Sequence, residues 1–405
     1  MLPEDGRAWN RAEAAARDLS RRYALDRIDI PLFERVELFA RGLGESSDAV
    51  EKEMFRVSGA KGSEEEAAPW ALRPEPTAGI VRAFIEHGMH VRPGPLRLTL
   101  IGPMFRYDRP QAGRYRQFSQ WDVEVIGDAG PAVDAELIEL GHRFFAELGI
   151  VEVVAHLNSI GDAECRPAYR DALIEFFSAH EDRLTDDSRR RLRVNPLRVL
   201  DDKDLAPDLA DAAPRAIDHL CDACREHFAA VRSILDALGV RYELDHRLVR
   251  GLDYYTRTAF EFYVAGREGQ QQALGGGGRY DGLVEALGGP ATPGIGFGIG
   301  LDRAVLAMEE RGVADPPPSS LVAVVGGEAP ARRLIVAGRL RDAGLAVRPD
   351  GSARKLGRQL ESAAKAGARW AVIVDEAESV VVRDLEGGTQ REPMSVEDAI
   401  AALSG

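Results

Sequence analysis

Three cysteines in 405 residues leave no room for a disulfide framework, and so low a count fits a reducing compartment. The opening residues, Met1-Leu2-Pro3-Glu4-Asp5, lack the apolar stretch of a secretory leader. No run approaches the ~18 apolar residues of a membrane span. The expectation is a cytoplasmic protein with no membrane segment. Basic excess is also missing: 52 Lys and Arg stand against 66 Asp and Glu, a net charge of −14. That argues against blanket adhesion to nucleic acid. It leaves room for a local basic patch, because phosphate binding follows the local field rather than the total charge. No internal repeat is found. What remains is a globular composition, 45% hydrophobic and 29% charged, in a length that suggests two to three domains.

Periodicity organises the chain. Residues 4–24 carry apolar positions at helical spacing and read as an amphipathic helix. Residues 27–32 read as a short strand, its Pro31 suiting an edge. Residues 58–69 are Gly/Ser/Glu-rich and read as a loop. Strands at 97–106 and 116–126 flank a charged loop, the pattern of an antiparallel pair. A helix at 133–148 and a strand at 151–158 follow. Residues 160–238 are helical in pattern, with no strand signal, and look inserted between sheet segments. Strands resume at 240–247, 257–264 and 293–300. Residues 314–320 hold three consecutive prolines and read as a linker. Beyond it, strands at 321–325, 345–348, 370–374 and 379–384 alternate with helices at 328–343 and 352–366, a small α/β domain.

Three segments carry chemistry. In the first, Arg106, Arg109, Arg114 and Arg116 fall within eleven positions. Such a cluster is either a solvated loop or a polyphosphate clamp. The strand after it sets Phe118, Gln120, Glu124 and Ile126 on one face and Trp121, Val123 and Val125 on the other. A Gln and a Glu among apolar neighbours suggest a polar pocket floor. In the second, Gly294, Gly296, Gly298 and Gly300 line one face of a strand, with Ile295, Phe297, Ile299 and Leu301 on the other. Alternating glycines weaken a strand, and a bare face lets a flat ligand lie against the backbone. Arg303 opens the helix that follows. The spacing fits neither a dinucleotide-binding loop nor a Walker motif. In the third, Arg250-Gly251-Leu252-Asp253-Tyr254-Tyr255 joins a guanidinium that matches a carboxylate or phosphate to two tyrosine hydroxyls that can hold a polar ring.

Together these segments resemble the class II aminoacyl-tRNA synthetases: residues 27–41 motif 1, 102–124 motif 2 and 294–303 motif 3. Residues 73–77, 248–257 and 276–282 are similar to stretches particular to the histidyl-tRNA synthetases, and the resemblance covers about residues 2–400. It implies an α+β catalytic domain on an antiparallel sheet (residues 1–159 and 239–313), a helical insertion (160–238), the proline linker (314–320) and a C-terminal α/β anticodon-binding domain (321–405). It implies a homodimer. The reaction would activate L-histidine with ATP and Mg²⁺ to histidyl-adenylate and pass it to the 3′ end of tRNA(His).

Site roles follow from the same resemblance. Arg106 would meet the ATP α-phosphate, and Arg250 would bridge it to the histidine carboxylate, which makes these two the catalytic pair. Phe118 and Arg303 would sandwich the adenine, with Asp108 contacting it, and Arg114 and Arg303 would meet the γ-phosphate. Glu75, Thr77 and Gln120 would hold the ammonium. Glu124 and Tyr255 would hold the imidazole, with Tyr254 and Tyr280 in the same pocket. Arg109, Gln111 and Arg116 would lie toward the tRNA acceptor end, and Arg354, Arg358 and Lys365 would form a phosphate-contacting stripe in the C-terminal domain. The chain departs from the family pattern at Pro76, usually Gly, and at Asp108, usually Glu.

Cys221, Cys224 and His227 have suggestive zinc spacing, but a closed structural site needs four ligands. Cys165 is distant in sequence, and Asp202 stands where related sequences often have Cys. The expectation is therefore two half-buried cysteines in the helical insertion and no metal held by protein side chains. The competing functional reading is a non-catalytic paralogue that regulates ATP phosphoribosyltransferase. Such paralogues generally lack the C-terminal domain and parts of the ATP clamp. Arg106, Arg250, Arg303 and the segment after the linker are all present here, which favours the enzyme. A synthetase for another amino acid would need a different pocket from Glu124 and the Arg250–Tyr255 run.

Overall fold

Small side chains at four-residue spacing begin the fold. Ala8, Ala12, Ala16 and Leu19 form one buried stripe of helix α1 (Gly6–Arg22), and their size lets the helix lie close against a sheet. The computed structural model describes residues 6–44, 50, 52–57, 70–108, 113–202, 204–249, 254–266, 272–313, 321–326, 330–375 and 379–404. It divides into two units, Met1–Val313 and Ala314–Gly405.

In the first unit the chain runs α1, β1 (Asp26–Arg27), β2 (Phe33–Arg35), α2 (Val36–Leu43), β3 (Arg56–Val57), β4 (Trp70–Leu72), α3 (Thr77–Glu86), β5 (Leu96–Phe105), β6 (Gln117–Ile126), α4 (Pro131–Glu147) and β7 (Val153–Ser159). It continues through α5 (Arg166–Ser178), α6 (Asp186–Val194), α7 (Pro207–Ala212), α8 (Asp222–Leu238), β8 (Tyr242–Leu244), β9 (Thr256–Val264), β10 (Gly275–Arg279), α9 (Leu283–Ala286), β11 (Gly294–Gly300) and α10 (Leu301–Glu310). Eight strands form one sheet in the order β1-β5-β6-β11-β10-β9-β7-β8. Its outermost pairs, β1–β5 and β7–β8, are parallel, and the pairs between are antiparallel. A separate antiparallel sheet, β2-β4-β3, holds the short strands of the N-terminal third.

Alternation sorts the two faces of the main sheet. Trp121, Val123, Val125, Ile295, Phe297 and Ile299 enter one core with α1, α4, α8 and α10. The indole of Trp121 is fully buried and donates to Thr99 Oγ1 (3.0 Å) and Ser20 Oγ (3.2 Å). The opposite face carries the smaller cluster of Ile80, Phe84, Leu100, Met104 and Tyr280, and it leaves room for a site.

Several expectations need correction. Residues 27–32 do not form one strand: β1 ends at Arg27 and β2 begins at Phe33. Pro31, which has no N–H to donate, lies in the break. The strand expected at 240–247 ends at Leu244, where Asp245 accepts the Arg247 N–H in a turn. β10 was not expected at all, because four consecutive glycines carry no strand propensity; pairing on both sides, to β9 and β11, makes it one. Between β7 and β8 the elements are helical, but they serve two cores. Tyr169, Leu173, Phe177, Leu192 and Leu209 build a separate cluster. Phe228, Val231 and Leu235 of α8 instead join the main core.

One buried ionic network holds β10 in place. Arg279 is fully buried and donates to both Asp134 oxygens (2.8 and 3.1 Å), to Asp281 Oδ1 (2.9 Å) and to the carbonyls of Asp128 and Gly130. Asp134 Oδ2 also meets His227 Nε2 at 2.8 Å. Removing one partner of such a set leaves a buried charge unpaired, a loss of about 3–5 kcal/mol. The network ties β10 to the start of α4 and to α8.

The second unit has its own sheet, in the order β13-β12-β14-β15: β12 (Val322–Val325), β13 (Val347–Pro349), β14 (Trp370–Val374) and β15 (Val380–Asp384). Around it lie α11 (Pro330–Asp342), α12 (Leu356–Lys365) and α13 (Val396–Ser404). β12 is parallel to both β13 and β14, and β15 is antiparallel to β14. α13 was missed, although Ser395 accepts the Asp398 N–H and donates to its carboxylate, a capping pair visible in the sequence. α12 is shorter than the expected 352–366. Its buried face is Gln359 and Ala363, while Leu356 is 39% exposed.

Candidate active site

The register of β6 against β11 builds the site floor. Glu124 lies opposite Gly296, Asp122 opposite Gly298 and Gln120 opposite Gly300. A Cβ on Gly298 would stand 2.6 Å from Asp122 Oδ1 and 2.8 Å from Gln120 Nε2, and one on Gly296 would collide with Glu124 Oε2. The bare glycine face therefore first admits the polar side chains of the neighbouring strand. Gly296 and Gly298 also line the cavities beside these side chains.

Glu124 is fully held. Its Oε1 accepts from Thr77 Oγ1 (2.5 Å) and its Oε2 from Tyr280 OH (2.6 Å). Tyr280 thus orients Glu124 as well as lining the pocket. Glu75 sits at the start of α3 and accepts the N–H groups of Thr77 (2.7 Å) and Ala78 (3.1 Å), where the helix dipole favours a carboxylate. Pro76 lacks an N–H, and Glu75 reaches past it to the next two.

These groups surround an inner cavity of about 50 Å³ with Gln120, Asp122, Tyr254 and Tyr255. Asp122 Oδ2 and Gln120 Oε1 are buried with no hydrogen-bond partner among the described residues. Burial pushes the Asp122 carboxyl well above the usual range, and Glu124 and Glu75 add to the effect. Burial raises Glu75 as well, against its backbone hydrogen bonds. Glu124 is pushed up to about 8, by burial and then by Glu75, against the bonds from Thr77 and Tyr280. Arg73 and Arg106 offset only part of this, and three carboxyl groups buried together suit a further cation.

Arg106, Gln120, Gly276 and Gly298 also line a second, larger cleft of about 220 Å³, whose walls carry both arginines and carboxylates. Arg106, Arg114 and Arg303 meet there, beside Phe118. Burial, then the charges of Arg114 and Arg106, lowers Arg303 to about 10. Arg106 donates to the Pro74 carbonyl (2.9 Å), and its guanidinium lies 5.6 Å from the centre of the Phe118 ring. Arg303 donates to the carbonyls of Gly113 and Ala273. Arginines crowded this closely suit a polyanion.

Other expected residues stand as follows. Asp108 and Arg114 both line the cleft and pair with each other at 2.7 Å. Arg116 stacks over the exposed ring of Tyr107 at 4.3 Å. Arg109, Gln111 and Arg250 lie outside the described residues. Arg358 and Lys365 both pair with Glu361 (2.9 and 2.8 Å). Arg354 precedes α12 and bonds Ser352 and Asp350. His227 does not join the cysteines, since it faces Asp134. Asp202 accepts from Thr185 Oγ1 at 2.7 Å and from Ser188, away from them. Sequence reasoning missed Asp122, though the same alternation that exposed Gln120 and Glu124 places it on their face. It also missed Glu53, Glu261 and Asp302 in the outer cleft, which carry no local signal.

A family model described as histidyl-tRNA synthetase matches residues 1–304, and one described as an anticodon binding domain matches residues 320–405. The histidine–tRNA ligase of Desulforudis audaxviator is 46% identical over 397 residues, 96% of this chain and 93% of that protein. The crystal structure of apo S. aureus histidyl-tRNA synthetase superposes with a TM-score of 0.80 at 33% identity, covering all of this chain and 97% of that one. A Bacillus halodurans structure described as an ATP phosphoribosyltransferase regulatory subunit/histidyl-tRNA synthetase shares the fold, with a TM-score of 0.65 at 20% identity over 93% of this chain and 96% of that one.

The position of Glu124 sets a pH dependence. Its folded-state pKa of about 8 lies above the ordinary 4.5. The native state keeps a proton that the unfolded chain has released. The stabilising contribution is complete below about pH 4.5 and is lost as pH rises through about 8. In the ligand-free protein, Glu124→Gln should therefore flatten the fall of Tm between about pH 5 and about pH 8. Equal slopes for variant and parent in thermal scans across that range would contradict the assignment.

Proposed function

The chain belongs to the histidyl-tRNA synthetase family, and we infer that it is a histidine–tRNA ligase that couples ATP cleavage to histidylation of tRNA(His). The observation that carries the reading is a carboxyl-rich inner cavity that adjoins a cleft where three arginines crowd together. The inner one, with three carboxyls, suits an ammonium and a polar ring. The outer one, with three arginines, suits a triphosphate. Arg106 and Gln120 stand at both. The reading stands above the regulatory alternative on near-full-length identity to histidine–tRNA ligases and on a second unit that matches an anticodon binding domain. Histidine-dependent ATP–pyrophosphate exchange tests it, and exchange indifferent to histidine would remove it.

In the proposed mechanism histidine's ammonium lies against Glu75, Thr77 and Gln120, with Asp122 adding a second carboxyl group. Its imidazole meets Glu124 and Tyr255. A non-polar competitor would leave Asp122 Oδ2 and Gln120 Oε1 buried without partners, which such sites reject strongly. The carboxylate attacks the ATP α-phosphorus, and pyrophosphate leaves. Arg106 sits where charge builds on the α-phosphoryl oxygens, while Arg114 and Arg303 neutralise the leaving phosphates. Asp108 holds Arg114 in the cleft, a positioning role in place of the adenine contact. The carboxylates of Glu53 and Glu261 at the cleft offer oxygen ligands suited to Mg²⁺, which supplies further charge neutralisation on the phosphates. The terminal ribose hydroxyl of the tRNA then attacks the acyl carbon and releases AMP. The few cysteines suit a cytoplasmic setting.

Arg250 adjoins Tyr254 and Tyr255 in sequence, and its charge would reach the α-phosphate during attack. Arg250→Ala should lower adenylate formation at least ~10²-fold, as for loss of one transition-state donor. Near-normal pyrophosphate exchange in the variant would exclude it from the chemistry.

The motif 1 region supports a homodimer. Leu32 and Phe33 are 44% and 50% exposed, and Phe33 packs edge-on to Trp70, an apolar surface that association would cover. Light scattering at micromolar concentration should return twice the chain mass. A monomeric mass would count against it.

Arg354, Arg358 and Lys365 are the proposed phosphate-binding side chains of the second unit. Replacing all three by Gln should weaken tRNA binding and lower the salt slope by about one for each cation removed, with pyrophosphate exchange intact. An unchanged KM for tRNA would move the anticodon-side binding face elsewhere.

A further inference from the structure

The cysteines set aside as distant in sequence come together in space. Asp162, Cys165, Cys221 and Cys224 each point one ligand atom into a common volume, all within 4.8 Å of one another. The sequence spacing is two pairs, Asp162-x-x-Cys165 and Cys221-x-x-Cys224. The first lies in the turn between β7 and α5, and the second opens α8. We propose that these four residues form a tetrahedral Cys₃Asp site for Zn²⁺ that clamps the helical segment to the catalytic sheet.

The geometry suits this ion. A tetrahedral centre with zinc–sulfur bonds of about 2.3 Å and zinc–oxygen bonds of about 2.0–2.2 Å separates its ligand atoms by roughly 3.5–3.8 Å. Asp162 Oδ1 is 3.6 Å from Cys165 Sγ and 3.9 Å from Cys221 Sγ. Small closing movements therefore complete the set. Cys165 and Cys224 are buried, and Leu220 and Ile217 pack around them, so solvent has little access. Three thiolates with one carboxylate form a borderline-soft set that selects zinc over magnesium or calcium. As the ion enters, the three thiol protons leave to solvent.

The surroundings support the ligands. Arg257 donates to Asp162 Oδ2 (3.2 Å), so that carboxylate presents its other oxygen to the sulfurs. Outer groups of this kind orient metal ligands, and the guanidinium offsets part of the negative charge of the complex. Arg257 has φ of 50°, uncommon for a residue with a side chain. Its N–H is bound to the Gly161 carbonyl (2.7 Å), and its carbonyl accepts the Ile160 N–H (2.8 Å). The Asp162 N–H points at Cys165 Sγ at 3.4 Å. At Gly161, with φ of 71°, a Cβ would stand 2.7 Å from the same sulfur. The turn is thus shaped around a sulfur position. Arg166, next to Cys165, donates to the Tyr255 carbonyl, which connects the cluster to the tyrosine pair of the active site. A single disulfide among three cysteines would leave the third thiol without a role.

The test is metal content and spectroscopy on the full chain. Protein prepared under reducing conditions without chelator should carry about one zinc per chain by plasma mass spectrometry. Replacement by Co²⁺ should give the visible d–d bands of a tetrahedral ion and a near-ultraviolet sulfur-to-metal charge-transfer band. Cys221→Ser with Cys224→Ser should abolish both. Asp162→Cys should retain the metal and strengthen the charge-transfer band, which separates ligation from general structural damage. The wild-type Co²⁺ spectrum decides the matter even where the serine variant does not fold. Less than ~0.1 zinc per chain with no charge-transfer band on adding Co²⁺ to the reduced wild type would overturn the proposal. So would an octahedral Co²⁺ spectrum, or a stable disulfide among these cysteines in freshly purified protein. These readouts do not depend on histidine or tRNA, so they stand apart from the proposed reaction.

Discussion

Like charges held close together in two adjoining chambers are the constraint on which the catalytic unit turns. In the inner cavity burial raises the proton affinity of Asp122 and Glu124, Glu124 and Glu75 adding to it at Asp122 and Glu75 at Glu124, and in the outer cleft burial, then Arg114 and Arg106, depresses that of Arg303. Each cluster is unfavourable alone, because burial removes the water that would screen it. A ligand that is cationic at one end and polyanionic at the other relieves both. No pair of separate cavities would do this for two substrates that must react with each other. Arg106 and Gln120 line both cavities, so ligands held in the two would lie end to end, the arrangement that lowers the entropic part of a barrier.

Clusters of that kind hold their shape only on a rigid frame. Glu124, Asp122 and Gln120 project from a central strand over the backbone of β11, where a side chain at Gly296 or Gly298 would displace them. β10, on the far side of β11, has almost no side chains with which to pack. Its position depends on pairing with both neighbours and on Arg279, whose guanidinium reaches Asp134, Asp281 and two carbonyls. The glycines that open the site thus remove packing from the strands that carry it, and the buried ion network supplies the missing restraint. Thr77 and Tyr280 act on Glu124 in the same manner at shorter range.

Long periodic elements were legible in the sequence: α1, the β5–β6 pair, α4 and β9 lie within a few residues of where spacing put them. Most site residues were legible through motif resemblance, and Glu124, Gln120 and Phe118 through alternation alone. What failed to show were features decided by tertiary partners. β10 is a strand because strands flank it, whatever its composition. α8 belongs to the main core because α4 offers its face, although its sequence reads like the helices before it. The grouping of Cys165 with Cys221 and Cys224 needs the chain to return from α8 to the end of β7, and His227, one turn from Cys224, turns to Asp134 instead. Asp108 bonding Arg114 was invisible for the same reason.

The acidic balance of the chain bears on how a tRNA could be held. With a net charge of −14, long-range attraction is weak, so affinity has to come from local arginines and lysines whose counter-charges give way easily. Arg358 and Lys365 share one carboxylate, Glu361, and all three side chains are exposed. Exposed pairs of this kind contribute little to stability and are screened by salt. A row of phosphates can therefore replace Glu361 as partner at small cost, whereas the buried Asp134–Arg279 pair could not be exchanged without breaking the sheet. The two kinds of ion pair differ in this way: the buried one fixes the frame of the sheet, and the exposed ones leave their cations exchangeable.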